Sequence, residues 1–180
     1  MGDLRTNKID AARRQLEAAI RMFFGGDDPF AIHTVASAAY RILRDVAEHS
    51  GKSPFHEHVK TFIRPGKDKQ FWSAINKAAN FLKHADEDPD AILEVKEEFN
   101  DFSIGICCMY YHSLGYDLTP DMRGFMGWHM LMNPDILIES PEKKLLASAE
   151  FDDLRSRSRS EQITLGRQFC LLVKKQMVGI

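Results

Sequence analysis

Apolar residues recur at steps of three and four along nearly the whole chain, the spacing that puts them on one side of an α-helix. Ile9, Leu16, Ile20 and Phe23 share such a stripe and predict a first helix from about Asn7 to Phe24. Gly25-Gly26 ends it, because a glycine just past a helix takes the left-handed conformation at little cost. Asp28-Pro29 opens a second helix, with Asp as cap and Pro in the first turn. It runs to about Glu48 and carries Ile32, Val35, Ala36, Ala39, Leu43 and Val46; so many alanines predict close approach of a neighbour. A short piece around residues 54–62 and a turn at Arg64-Pro65-Gly66 precede a helix from about Asp68 to Ala85. The longest helix is expected to open at Pro89, with Asp88 as its cap. Its seam would be Ile92, Val95, Phe99, Phe102, Ile106, Met109 and Ser113. Thr119-Pro120 and Asn133-Pro134 bracket a Met-rich helix, MRGFMGWHMLM, whose Phe125, Trp128 and methionines suit a core or a dimer face. Two further helices are expected at about Pro141–Leu154 and Ser160–Met177. They are separated by RSRSRS, read as a flexible charged joint over about residues 155–160. Ser158-x-x-Glu161 fits a capping box for the last one. No stretch alternates with period two. The pattern therefore predicts an all-α fold in one domain over residues 1–180: a bundle of about four long helices with short peripheral ones.

Composition narrows the class without naming it. A net charge of −2 argues against a general nucleic-acid coat or a binder of anionic membranes. The apolar runs fall short of the roughly 20 residues a bilayer span needs, so no membrane association is expected. The first residues, MGDLRTNKIDAARR, contain no apolar core of a secretory signal. Cys107, Cys108 and Cys170 are odd in number and lack CxxC spacing; the first two sit in an apolar helical stretch, as small buried hydrophobes do. We therefore expect a cytoplasmic protein with reduced thiols. GxGxxG, P-loop, GxSxG and HExxH patterns are all missing from the sequence, so no cofactor is expected.

Candidate chemistry concentrates in NKAANFLKHADEDPD, residues 76–90. On an ideal helix Phe71, Ile75, Ala78, Leu82 and Ala85 form an apolar arc, with Asn80 and His84 on the opposite side. The plainest expectation is a solvated face. The second helix has its own polar series, His33, Ser37, Tyr40 or Arg41, and Arg44, a candidate ligand-binding set. If the two polar faces meet, His33, Tyr40, Asn80 and His84 line one cleft. A divalent-metal alternative uses Asp86, Asp88 and Asp90 at positions 1, 3 and 5 of a calcium-type loop, with Glu94 at 9 and Glu97 at 12. Ala91 stands where that loop wants Gly, and Pro89 suits a helix start better, so no metal is favoured.

The string ANFLKH, residues 79–84, resembles the R-N-x-x-x-H signature of HEPN domains (higher eukaryotes and prokaryotes nucleotide-binding). Those are all-α bundles, many of them metal-independent ribonucleases acting as dimers. Asn80 and His84 match the motif, and Ala79 stands where its Arg belongs. The resemblance implies RNA or nucleotide as partner. His84 would then be acid or base, Asn80 a positioning group, and Lys83 or Arg44 the phosphate holder. The strings AIHTVASAAYRILRD and NFLKHADEDPD also look like an uncharacterised family of bacterial helical proteins, which brings no activity. The leading expectation is a non-catalytic helical interaction or regulatory domain, homodimeric or with a protein partner. The alternatives are a HEPN-like RNA-cleaving or nucleotide-binding protein, and a bundle binding a small ligand or a divalent metal.

Overall fold

The computed structural model describes residues 3–51, 68–83, 89–96, 98–137 and 141–178. The pieces expected around residues 54–66 lie outside the described residues. Among those described there is no strand, and eight α-helices account for the fold, as the hydrophobic spacing predicted. They are α1 (Lys8–Gly25), α2 (Pro29–His49), α3 (Asp68–Phe81), α4 (Phe99–Ser113), α5 (Pro120–Met132), α6 (Pro141–Leu146), α7 (Asp152–Ser156) and α8 (Arg159–Val178).

Local signals account for the helix starts. Asn7, Asp28 and Thr119 each accept backbone N–H bonds from the first turns of α1, α2 and α5, satisfying donors that would otherwise be orphaned. Gly26, at φ 78°, closes α1 in the left-handed conformation. α1 and α2 then form a tight helical hairpin, and Ala12 and Ala19 of the one and Ala36 and Ala39 of the other are all fully buried.

Directions follow from side-chain contacts. α4 lies beside α2 and parallel to it: Asn100 donates to the Pro29 carbonyl at 2.9 Å, the Cys107 thiol points to the Ala36 carbonyl at 3.6 Å, and Tyr110 meets Tyr40 edge to face. α5 runs alongside α1, with Phe125 and Trp128 against Phe23 and Phe24. α8 is antiparallel to α5, and here two glycines set the approach. A methyl group on Gly124 would come within 2.6 Å of Cys170 Sγ; one on Gly166 would strike Phe24 and come within 2.7 Å of Trp128 Cδ1. Trp128 Nε1 donates to the Gln162 carbonyl at 3.0 Å across the same contact. The core is therefore a five-helix one (α1, α2, α4, α5 and α8), where the periodicity suggested about four long helices.

Three expectations change in detail. The long helix predicted from Pro89 begins only at Phe99: residues 89–90 form a turn and 91–96 have no regular structure. Its single seam is also replaced by burial nearly all round, from Asn100 and Asp101 to Tyr110 and Tyr111, because α1, α2 and α5 enclose it. The helix expected over 141–154 is broken into α6, a 3₁₀ turn at Ala149–Phe151, and α7. Arg155 gathers carbonyls this break releases, donating to Leu146 and Ser148, and reaches a further one, Leu131, at the end of α5. The arginines of RSRSRS are accordingly held: Arg157 pairs with Asp153 at 2.6 Å, and Arg159 reaches into the core to Asp101. The capping box at Ser158 and Glu161 forms reciprocally.

Candidate functional site

The polar series of α2 does not share one solvated face. His33, Ser37 and Tyr40 are buried, under α3 and against α4. His33 Nε2 and Ser37 Oγ are 3.0 Å apart, one helical turn from each other. The ring also packs on Phe99, centroids 4.9 Å apart. Burial pushes the His33 pKa below its ordinary value, although Asn100 and the Ile75 carbonyl favour the charged ring; Lys83 adds to the lowering. Neither His33 Nδ1 nor Asn100 Oδ1, both buried, completes a hydrogen bond of good geometry, so Asn100 and the Ile75 carbonyl act on the ring through imperfect contacts. Asn100 cannot turn its amide over, since its Nδ2 is needed by the Pro29 carbonyl. Ser37 and Tyr40 line a small, mostly apolar cavity with Ala36, Ile75, Ser103 and Ile106. The Tyr40 hydroxyl bonds to that of Tyr110, and burial raises the Tyr40 pKa far above that of a free phenol.

Contact between the two predicted polar faces occurs at the rim instead. Arg41 Nη2 donates to Asn80 Oδ1 at 3.0 Å, joining α2 to α3. Lys83 is exposed just beyond, its pKa lowered by partial desolvation and by the Arg41 charge. Arg44 is engaged by Asp45 at 2.8 Å and Glu48 at 3.7 Å and stacks over the Tyr40 ring. The expected cleft of His33, Tyr40, Asn80 and His84 is therefore divided: His33 and Tyr40 face the core while Asn80 faces water. His84, Asp86, Asp88 and Glu97 lie outside the described residues. Asp90 and Glu94 are exposed, in a stretch that is not helical. Among the described residues, no three His, Cys, Asp or Glu side chains gather as a metal site would require.

A second polar cluster went unread in the sequence. Asp101 is 3% exposed, and Arg159 of α8 binds both of its carboxylate oxygens. The same guanidinium stacks over Phe23 and Trp128 at 5.4 and 5.5 Å. Burial pushes the Asp101 pKa up to about 6 against the pull of Arg159. Beside them His129 lies on Phe125, with Phe102 at its edge and the bare Cα of Gly105 leaving it room. Asn133 Nδ2 donates to its Nδ1 at 3.3 Å, which makes Nε2 the protonated nitrogen. Burial, helped by the Arg159 charge, brings the His129 pKa down to about 4. All three cysteines are free and buried; the Cys107 and Cys170 thiols are pushed up to about 12 by burial, which leaves them un-ionised and unreactive near neutrality. The signal for this cluster was present as two polar residues, Asn100-Asp101, at the head of an apolar helix, and as an Arg at the start of the last one.

Polar chemistry is thus turned inward, and apolar surface is turned outward on α8. Phe169, Leu171 and Leu172 are 43%, 53% and 59% exposed, with Met177 further along. Arg167 and Lys175, both exposed, bracket Leu171 at one helical turn on either side. Hence the class that fold and surface define is an all-helical bundle with a buried polar interior and two exposed leucines on the outward side of its last helix. No family model matches the chain, and no curated protein or solved structure shows significant similarity to it. No helix among the described residues is long and apolar enough to cross a membrane.

Proposed function

We propose that the protein is a non-catalytic helical interaction module of the cytoplasm whose docking surface is the outer face of α8. The observation that carries this is the exposed pair Leu171 and Leu172 on a helix whose other side is fixed to the core through Gly166 and Cys170. Scattered exposed apolar residues are ordinary, but two large neighbours on the outward side of a helix offer a contact site. The reading is tested on the isolated protein. Leu171→Lys with Leu172→Lys is expected to leave the melting temperature within about 2 °C of the parent, since neither side chain supports the core. The same double change should cut the fluorescence of an apolar surface dye. A large loss of stability would instead make these residues packing residues and overturn the reading.

A second reading has one observation in its favour. Arg41 lies in hydrogen-bond contact with Asn80, so a guanidinium stands beside the Asn that the HEPN-like string lacks an Arg for. With Lys83 nearby, and no carboxylate among the described residues paired with either cation, this rim is suited to a phosphate. Binding of a short single-stranded RNA, followed by fluorescence anisotropy, should weaken in Arg41→Ala and Lys83→Ala. Cleavage that survives EDTA and disappears in His84→Ala would favour the ribonuclease reading. No RNA binding at low salt removes it.

A further inference from the structure

Three groups that carry or can take a positive charge meet where α3 sits on α2. Arg41 is fixed at the rim by its bond to Asn80, and Lys83 stands near enough for the two charges to oppose each other. Like charges held together cost free energy, and among the described residues no carboxylate relieves this pair. His33 is the third group. It is buried beneath the same junction, with the Ile75 carbonyl of α3 against its ring. Arg41 follows His33 by eight residues on α2, and Asn80 follows Ile75 by five on α3. About 12 Å and about 8 Å of helix therefore separate the ring from the rim. Charges that far apart still act on each other when protein rather than water fills the space between.

The surroundings of the ring suit either protonation state. On α2 itself the Ser37 hydroxyl faces Nε2 at 3.0 Å, and a hydroxyl can donate or accept, so this bond survives whether or not Nε2 carries a proton. From α4 come Phe99, packed on the ring, and Asn100, which favours the charged form; neither titrates. From α3 come the Ile75 carbonyl, which also favours a proton, and the charge of Lys83, which opposes one. Burial is the main reason the ring holds its proton less tightly than a free histidine, and Lys83 adds to it. Lys83 is the influence that a ligand at the rim can cancel.

We propose that a small oxyanion binds between Arg41 and Lys83, and that its binding and the protonation of buried His33 favour each other. The inference rests on reading the rim as a phosphate-type site and adds its regulation. An oxyanion paired with both cations offsets the charge that opposes a proton on His33. By reciprocity, a proton on His33 places a third positive charge behind the site and tightens the anion by the same factor. Affinity therefore rises as pH falls through the range in which His33 titrates, and levels off once the ring is charged.

Sulfate is the probe, because it stays a dianion from about pH 8 to about pH 5, the range in which histidines titrate. Nitrogen-15 NMR follows the His33 ring through a pH titration with and without sulfate, and the amide shifts of α3 give the sulfate affinity at each pH. The ring is expected to titrate at higher pH in saturating sulfate, and the affinity to rise about threefold or more from the alkaline to the acid end. His33→Leu should flatten that rise. Arg41→Ala and Lys83→Ala should each weaken sulfate about fivefold or more. Lys83→Ala should also raise the pH at which His33 titrates without sulfate, since the opposing charge is gone. Sulfate that binds with the help of both cations but leaves the His33 titration unmoved overturns the coupling and leaves the rim reading in place. A folded chain that shows no saturable sulfate binding even at the acid end overturns the rim reading and the coupling with it.

Discussion

Asn100 and Asp101 are neighbours in the first turn of α4, both buried, and they reach different helices, Asn100 the head of α2 and Asp101 the start of α8. On the Asp101 side the charges are matched: both carboxylate oxygens take the Arg159 guanidinium, which is itself stacked over aromatic rings, and His129 is held neutral with its Nδ1 accepting from Asn133. On the Asn100 side one amide oxygen and one imidazole nitrogen make no hydrogen bond of good geometry. The difference lies in what burial costs each kind of group. An unpaired charge in the interior costs several kcal/mol, so a fold that keeps one must pair it fully. A neutral amide or ring left half-satisfied costs roughly 1–3 kcal/mol, which a core of this size can absorb. Ionic clusters in this bundle are therefore closed, and neutral ones are tolerated incomplete.

The sharpest way to break that contrast is to open the closed side. Arg159→Met strands Asp101 and should cost about 3–5 kcal/mol in urea unfolding, while adding Asp101→Leu to it should recover much of the loss, because replacing both partners with apolar groups removes the stranded charge. Next in size is the response to pH. Asp101, raised from 3.8 to about 6, keeps in the folded chain a proton that the unfolded chain has lost, so its contribution to stability falls as pH rises through that window. His129, lowered from 6.5 to about 4, does the reverse and contributes stability that grows as pH rises. The two oppose each other. His129→Leu is expected to tilt the stability profile between pH 4 and 6.5 downward toward higher pH, relative to the parent, and Asp101→Asn to tilt it upward. Matching tilts in both variants would mean that one of the assigned shifts has the wrong sign.

Smaller effects belong to the neutral side. Asn100→Ala removes a second bond to the Pro29 carbonyl, which keeps its helical bond in α2; about 0.5–1.5 kcal/mol is expected, read from the same unfolding curves. The smallest change should be His33→Leu together with Ser37→Ala. It removes the one bond these two share along with the poorly bonded Nδ1, so under about 1 kcal/mol in either direction is expected. A loss as large as that of Arg159→Met would show that the neutral cluster is closed after all, through a contact not apparent in its geometry.

Of the candidate site, the sequence revealed residue types and spacing but not sides. The series His33, Ser37, Tyr40 has helical periodicity, and such a series reads equally well as a wet face or as a polar strip under another helix; only the seating of α3 on α2 puts it inside. Arg41 and Asn80 were adjacent to the residues singled out, and one helical rotation decided that they, rather than His33 and Tyr40, make the contact between the two helices. Asp101 and Arg159 are 58 positions apart, a separation across which no periodicity carries information.

What the chain determined by itself is local: where helices start and stop, through Asn7, Asp28-Pro29, Thr119-Pro120, Gly26 and the Ser158–Glu161 box, and that all of them are helices. Those outcomes depend on dihedral preferences and on donors within a few residues, which neighbouring side chains supply. Tertiary structure alone decided which face of each helix is buried, that α4 begins at Phe99 although its apolar spacing continues back to Ile92, and that Leu171 and Leu172 point to solvent. A helix of two or three turns gains little from propensity and is kept or lost according to the surface it packs on, and that surface is made by residues far away in the chain.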